Sequence, residues 1–256
     1  MRSIDPSLNR AGLTGPDRLA WLTRTPFAHR GLHGGPEGRI ENSMSAFRTT
    51  LDAGFGIELD VQLTRDGQAV VFHDDRLDRL TDSKGRVANQ TLADLLAIPL
   101  AGSGDHVPSL KDVLGLVGGT VPLLIEIKGS SDPLHRLEKA VAQALRHYRG
   151  PAAVMSFAPG VVAWFRDHCT DMVRGFVAST RYRFDLGWRL SQPSVHKRLV
   201  RDLDPAFVAY DIRSLPNTFT RGWREAGRPL LTWTVRSAAQ HRRARQHTDN
   251  IIFEQA

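Results

Sequence analysis

The sequence predicts an α/β protein, a (β/α)8 (TIM) barrel with a small insertion after the second barrel strand, and three observations lead there. Short apolar runs alternate with helical patterns along the chain, as parallel strands joined by crossover helices require. The length of 256 residues fits about eight such units, the usual size of this barrel. Side chains able to do chemistry recur at the ends of the runs, and a barrel gathers the C-terminal ends of all its strands on one face. A doubly wound open sheet is the alternative that the same alternation permits. No Pro/Gly/Ser linker and no repeat of fixed period divides the chain, so a single domain over 1–256 is expected, with a core of about 26–253 and an N-terminal extension over 1–25.

The first run, TPFAHR (25–30), leads into a turn holding Gly31, Gly34, Gly35 and Gly38. Asn42 or Ser43 is placed to cap a helix in NSMSAFRTTLDAG (42–54), which Gly54 closes. GIELDVQLT (56–64) and QAVVFHD (68–74) flank TRDGQ, where Asp66-Gly67 predicts a hairpin, so the third run returns antiparallel beside the second. Helical patterns at TLADLLAI (91–98) and SLKDVLGLV (109–117) precede the strand VPLLIEIK (121–128). A helix in 133–148 is expected to open at Asp132-Pro133, with proline at its first position. Then come the strand AAVMSF (152–157), the helix PGVVAWFRDH (159–168) and the strands MVRGFVA (172–178) and AFVAYD (206–211). The helix TFTRGWREAG (218–227), the strand PLLTWTV (229–235), the helix SAAQHRRARQH (237–247) and the strand NIIFE (250–254) complete the pattern. The region from Tyr182 to Arg213, with Arg181, Arg183, Arg189, Lys197, Arg198 and Arg201, stays unassigned: it either frames an acidic substrate or is basic surface.

Hydrophobic and charged contents of 41% and 24% are those of an ordinary globular protein and exclude disorder. The apolar runs are too short to span a bilayer, and the N-terminus lacks the apolar core of a secretory signal, so a cytoplasmic address is expected. The lone Cys169 cannot form an internal disulfide. A net charge of +7 admits nucleic acid, an anionic membrane surface or an anionic small substrate. The one dense basic stretch, HRRARQH, lies on a helical pattern without interleaved aromatics and reads as a solvated face. No nucleic-acid partner and no stable membrane insertion are expected; the sequence leaves the oligomeric state open.

Glu58 and Asp60 are two apart on a strand and project to one side, while Ile57, Leu59 and Val61 project to the other. Two carboxylates on one inward face repel unless a cation lies between them. Glu126 repeats the setting, with Lys128 on the same face. Oxygen donors without thiolates or a close histidine pair suit one divalent ion, Mg²⁺ or Ca²⁺ with Mn²⁺ also compatible, and disfavour structural zinc. The alternative is a solvated edge strand and a simple Glu126–Lys128 ion pair. His29 and His73 both end strands, and the hairpin brings His73 towards the carboxylates; two imidazoles there suit acid/base hydrolysis. Arg30 and Lys128 suit an anion, since a guanidinium fork matches phosphate oxygens. His33 reads as a loop residue.

HRG (29–31), Glu41-Asn42, ELDVQLTRDG (58–67), VVFHDDRLDRLT (70–81), VPSLKDVL (107–114), LLIEIKG (123–129) and LLTWTVR (230–236), in this order, resemble the glycerophosphodiester phosphodiesterase family. The resemblance implies a (β/α)8 barrel and metal-dependent cleavage of glycerophosphodiesters, of the glycerophosphocholine or glycerophosphoethanolamine class, to glycerol 3-phosphate and an alcohol. By that similarity His29 and His73 are the general acid/base pair, Glu58, Asp60 and Glu126 the metal ligands, and Arg30 and Lys128 the phosphate-binding residues. Trp233 matches an aromatic lining the substrate pocket; its alternative is a core tryptophan. Glu41 matches a carboxylate that binds the metal, directly or through water, or orients Arg30. Two departures stand out. Ile40 replaces a common proline, and NIIFEQ replaces a usual Thr-Asp pair followed by proline. Lysophospholipase D or sphingomyelinase-D-like activity is the alternative on the same barrel, although no amphipathic membrane helix is evident. A non-catalytic anion-binding barrel is a second alternative. The attacking nucleophile, water or a neighbouring substrate hydroxyl, is left open.

Overall fold

In chain order the strands are β1 (Phe27–His29), β2 (Gly56–Leu63), β3 (Ala69–Val71), β4 (Leu123–Ile127), β5 (Ala152–Ser156), β6 (Val173–Ala178), β7 (Phe207–Asp211), β8 (Leu230–Val235) and β9 (Asn250–Phe253). The helices are α1 (Trp21–Arg24), α2 (Met44–Ala53), α3 (Leu92–Leu96), α4 (Leu110–Val117), α5 (Arg136–Leu145), α6 (Pro159–His168), α7 (Pro193–Leu203), α8 (Thr218–Glu225) and α9 (Ala238–His247). This computed structural model describes residues 19–35, 37–129, 132–181 and 188–255.

Among the described residues, all strands except β3 pair parallel with their neighbours, and β1 bonds both β9 and β2, which closes the sheet. That closure gives the (β/α)8 barrel and removes the open doubly wound sheet. β3 lies antiparallel on β2 with Val61 opposite Val71. The turn between them is closed by Thr64 N–H donating to the Gln68 carbonyl at 3.0 Å. Gly67 takes a φ of +78° there, a conformation that costs glycine little.

The insertion between β2 and α4 carries β3, two short 3₁₀ turns and α3 around its own apolar cluster, which includes Val70, Phe72, Leu77, Leu95 and Val107.

Alternation along each strand divides the side chains. Ile57, Leu59, Val61, Leu123, Ile125 and Ile127 pack with the helices in one cluster. Phe27, Leu124, Met155, Val177, Phe207 and Leu231 form a second, inside the barrel. By the same period of two, His29, Glu58, Asp60, Glu126 and Trp233 belong to the inner face, further along their strands than this apolar plug.

The extension expected over 1–25 lies largely outside the described residues. Its end is not an appendage, because Trp21 and Leu22 of α1 are buried in the inner cluster. Asn250 fastens the segment by donating its side-chain amide to the Leu22 and Thr25 carbonyls.

Ser43, not Asn42, caps α2 by accepting from Ala46 N–H, and Gly54 closes that helix at a φ of +73°. α5 starts at Arg136 rather than at Pro133. Asp132 accepts from the backbone N–H groups of Leu134 and Arg136 instead, so the proline sits in a turn ahead of the helix. The basic region holds an unanticipated helix, α7, which opens with Pro193 in its first turn and buries His196, Val200 and Leu203. Lys197, Arg198 and Arg201 face solvent on it. Arg183 and the side chain of Arg189 lie outside the described residues. Arg242, Arg243 and Arg245 of α9 are exposed, as a solvated face requires.

Candidate active site and metal centre

His29, Arg30, Glu58, His73, Glu126, Lys128 and Trp233 line one cavity of about 240 Å³ at the C-terminal mouth of the barrel. Phe157, Arg213 and Arg236 line it too. Asp60 lies directly behind this surface, 1% exposed. Glu41 is not among the lining residues.

The carboxylates sit in the barrel wall because β2 and β4 are neighbours in register, with Asp60 opposite Glu126. Glu58, Asp60 and Glu126 are all buried, and each offers an oxygen within 4.8 Å of the other two. A solvated edge is therefore excluded.

Asp60 is well compensated. Its Oδ1 lies 2.7 Å from Lys128 Nζ and its Oδ2 3.1 Å from Arg30 Nε, and Asn42 donates its amide to Oδ2 at 2.9 Å. Burial alone would raise its pKa, but Lys128 and Arg30 hold it well below the ordinary carboxylate range. Lys128 also donates to Glu126 Oε1 at 2.5 Å.

Glu58 is in the opposite condition. It accepts the Arg30 backbone N–H at 3.1 Å and its Oε2 lies 3.9 Å from His29 Nε2, but among the described residues no lysine or arginine side chain is ion-paired to it. Burial first, then the charges of Asp60 and Glu126, push its pKa well up. An all-oxygen set that leaves one buried carboxylate short of positive charge fits a hard divalent ion. Glu58, Asp60 and Glu126 are the residues that could hold it.

Each imidazole is backed by a carboxylate that an arginine holds. His29 Nδ1 lies 2.7 Å from Glu254 Oε1, and Arg236 donates to both Glu254 oxygens at 2.6 Å. His73 Nδ1 lies 2.6 Å from Asp74 Oδ1, and Arg79 donates to both Asp74 oxygens. Burial would raise the Asp74 pKa, yet hydrogen bonds from Arg79 and His73 bring it down to about 2. Glu254 is likewise held well below the usual range by His29 and Arg236, against its burial. An ionised carboxylate only accepts, so Nδ1 of both rings carries a proton and Nε2 is the ring atom left to exchange one.

His73 is fixed by Gln62, whose amide donates to the carbonyls of Phe72 and Asp74 on either side of it. Burial lowers the His73 pKa.

Glu41 accepts from Arg30 Nη1 at 2.6 Å and from Arg79 at 2.7 and 3.1 Å. It thereby joins the insertion to the first βα loop, and the Ile40 departure leaves it in place. Trp233 donates its indole N–H to the Ala209 carbonyl and meets Phe157 edge-on at 5.2 Å; it is half-buried with the cavity on one side.

Residue-by-residue reading missed Glu254, Asp74, Arg79, Asn42, Arg213 and Arg236. For Glu254 a signal existed, since strand alternation puts it on the inner face two residues after Ile252. Arg213 is folded back onto Asp211 through Nε and Nη2 at 3.0 and 2.8 Å.

The fold and this buried acidic trio define a barrel-mouth enzyme-type site, and comparison with known proteins names the family. A family model for the Glycerophosphoryl diester phosphodiesterase family matches residues 29–253; the chain belongs to that family. It is 36% identical over 154 residues to a glycerophosphodiester phosphodiesterase of Bacillus altitudinis, covering 54% of this chain and 60% of the relative. A glycerophosphodiester phosphodiesterase of Bacillus subtilis is 34% identical over 155 residues, covering 54% and 50%. The matched stretch thus spans only about half to three-fifths of these relatives' length. An Oleispira antarctica phosphodiesterase solved with sn-glycerol-3-phosphate shares the fold at a TM-score of 0.78 and 21% identity, over 91% of this chain and 93% of that one. The Thermotoga maritima glycerophosphodiester phosphodiesterase does so at 0.72 and 22%, over 90% and 94%. No helix among the described residues is long and apolar enough to cross a membrane.

Proposed function

We propose that this chain is a metal-dependent phosphodiesterase that hydrolyses glycerophosphodiesters of the glycerophosphocholine or glycerophosphoethanolamine class to glycerol 3-phosphate and an alcohol. The observation that carries the reading is the meeting of His29, His73, Glu58 and Glu126 around one small cavity, with Arg30 and Lys128 beside them.

Glu58, Asp60 and Glu126 would hold one divalent ion, Mg²⁺, Ca²⁺ or Mn²⁺, which when bound supplies a Lewis acid for a phosphoryl oxygen. Arg30 and Lys128 orient the phosphate. Arg30 is itself held by Glu41 and Asp60, so its guanidinium needs little reorganisation when the anion arrives. Between them, His29 and His73 move two protons. One ring takes a proton from the attacking hydroxyl at Nε2, and the other, protonated at Nε2, delivers one to the leaving alkoxide. Glu254 and Asp74 keep the rings in the tautomer that presents Nε2 and stabilise the imidazolium form. Trp233 and Phe157 form the apolar wall against which the carbon skeleton packs. A cavity of about 240 Å³ suits a small glycerophosphodiester better than an acylated substrate, whose chain would lie outside it.

The test is incubation with a panel of glycerophosphodiesters, with and without divalent metal. Glycerol 3-phosphate released with metal and lost on chelation is the expected result. No release from any member in any metal would refute the reading.

A further inference from the structure

We propose that His29, His33 and Glu254 form a second metal site, one that prefers a zinc-class divalent ion to the hard cation suited to Glu58, Asp60 and Glu126. One ring nitrogen from each histidine and one Glu254 oxygen lie within 4.8 Å of one another. A tetrahedral ion takes bonds of ~2.0–2.2 Å, so side-chain rotation would have to draw these three atoms inward around it.

The backbone brings the two histidines together. Arg30 and Gly31 both take left-handed conformations, with φ of +57° and +77°, and the chain folds back so that Gly31 N–H reaches the Ala28 carbonyl and His33 N–H the Gly31 carbonyl. Gly31 is needed there twice over, because a Cβ would meet Ala46 and Phe47 at 3.0–3.1 Å.

His33 also has an unused donor atom. Its Nε2 is buried and has no hydrogen-bond partner among the described residues. Burial lowers the pKa of this imidazole, so at neutral pH it is in the uncharged form that ligates metals.

The two clusters differ in chemistry. Three oxygens suit Mg²⁺ or Ca²⁺, whereas two imidazole nitrogens and one carboxylate with a fourth position open suit Zn²⁺ and its neighbours in the first transition row. Binding would exchange the hydrogen bond from His29 Nδ1–H to Glu254 Oε1 for Nδ1–metal and Oε1–metal bonds. The displaced proton moves to His29 Nε2, which then has no lone pair to accept another, so the ring can no longer cycle a proton. Loss of turnover on zinc binding rests on the proposed role of His29; the binding itself does not.

Equilibrium dialysis of the protein against Zn²⁺ in saturating Mg²⁺ tests the site. One Zn²⁺ per chain is expected to bind and turnover to fall with it. His33→Ala, and His33→Asn as a variant that keeps the turn polar, are expected to weaken Zn²⁺ binding at least ~10-fold, on the scale of losses at metal-site ligands and their supports. Both should keep the zinc-free turnover. Equal Zn²⁺ affinity in wild type and both variants, or Zn²⁺ that excess Mg²⁺ displaces, would overturn the proposal. Zn²⁺ bound through His33 with turnover intact would uphold the site and instead remove His29 from the proton transfers.

Discussion

His29 and Glu254 stand 225 positions apart in the chain and meet at 2.7 Å, Nδ1 to Oε1, across the β1–β9 seam that closes the barrel. The contact exists only because the barrel closes. Its counterpart, His73 with Asp74, is made between sequence neighbours. Both carboxylates are gripped by arginines, Arg236 and Arg79, so two histidine–carboxylate–arginine networks, one across the barrel seam and one local, flank the acidic trio.

Glu254→Gln is expected to lower kcat ~10–100-fold with little change in KM, the scale for a group that orients a functional side chain. Gln keeps an acceptor for Nδ1–H but removes the charge that stabilises imidazolium. Steady-state kinetics checks this; a rise in KM alone would place Glu254 in substrate binding.

His29→Ala and His73→Ala should each lower turnover by at least ~10²-fold, the lower scale for an acid/base group. Near-normal rates in either variant would take that ring out of the mechanism.

Asp74 adds stability that depends on pH. Its folded pKa of about 2 lies below the ordinary 3.8; a depressed carboxylate stabilises the fold above its unfolded pKa, and that contribution is lost as pH falls through the folded value. Asp74→Asn should cost about 1–2 kcal/mol at pH 7, after allowing for the half-exposed Arg79 partner. Urea unfolding should show the gap between variant and wild type closing below about pH 4 and roughly halved near pH 3. A gap that does not change with pH would show that the ion pair contributes nothing.

Gly175→Ala tests the barrel floor. A Cβ there would overlap the Phe207 ring at Cζ, and that ring is fully buried. Overpacking of this kind costs ~1–3 kcal/mol, to be read from urea unfolding. An unchanged midpoint would mean that the ring shifts freely.

Much of this was legible in the sequence where the signal is local. Alternation places Glu58 and Asp60 on one face of β2, Asp66-Gly67 marks the hairpin, and Gly54 ends α2. Contacts between distant strands carry no such mark, which is why the Glu254–His29 pair was not anticipated. α7 escaped because its buried stripe is short, His196, Val200 and Leu203, among many charges, so the basic residues dominated its composition. At Asp132-Pro133 the turn chemistry of aspartate outweighed the preference of proline for a helix start. Asn42 suits a cap by residue type, but it takes a left-handed φ of +57° and donates to the buried Asp60 carboxylate, while Ser43 in extended backbone serves the helix end.

The central claim is that Glu58, Asp60 and Glu126 form a cation site whose own charges oppose one another. Thermal unfolding of wild type and Glu58→Gln, with and without divalent metal, tests it most directly. Without metal the variant should melt at or above wild type, since its raised pKa marks Glu58 as destabilising when ionised. Metal at a hundred times its Kd should stabilise wild type by ~2.7 kcal/mol and the variant far less. A wild-type protein indifferent to Mg²⁺, Ca²⁺ and Mn²⁺, or a variant that melts well below it without metal, would contradict the account.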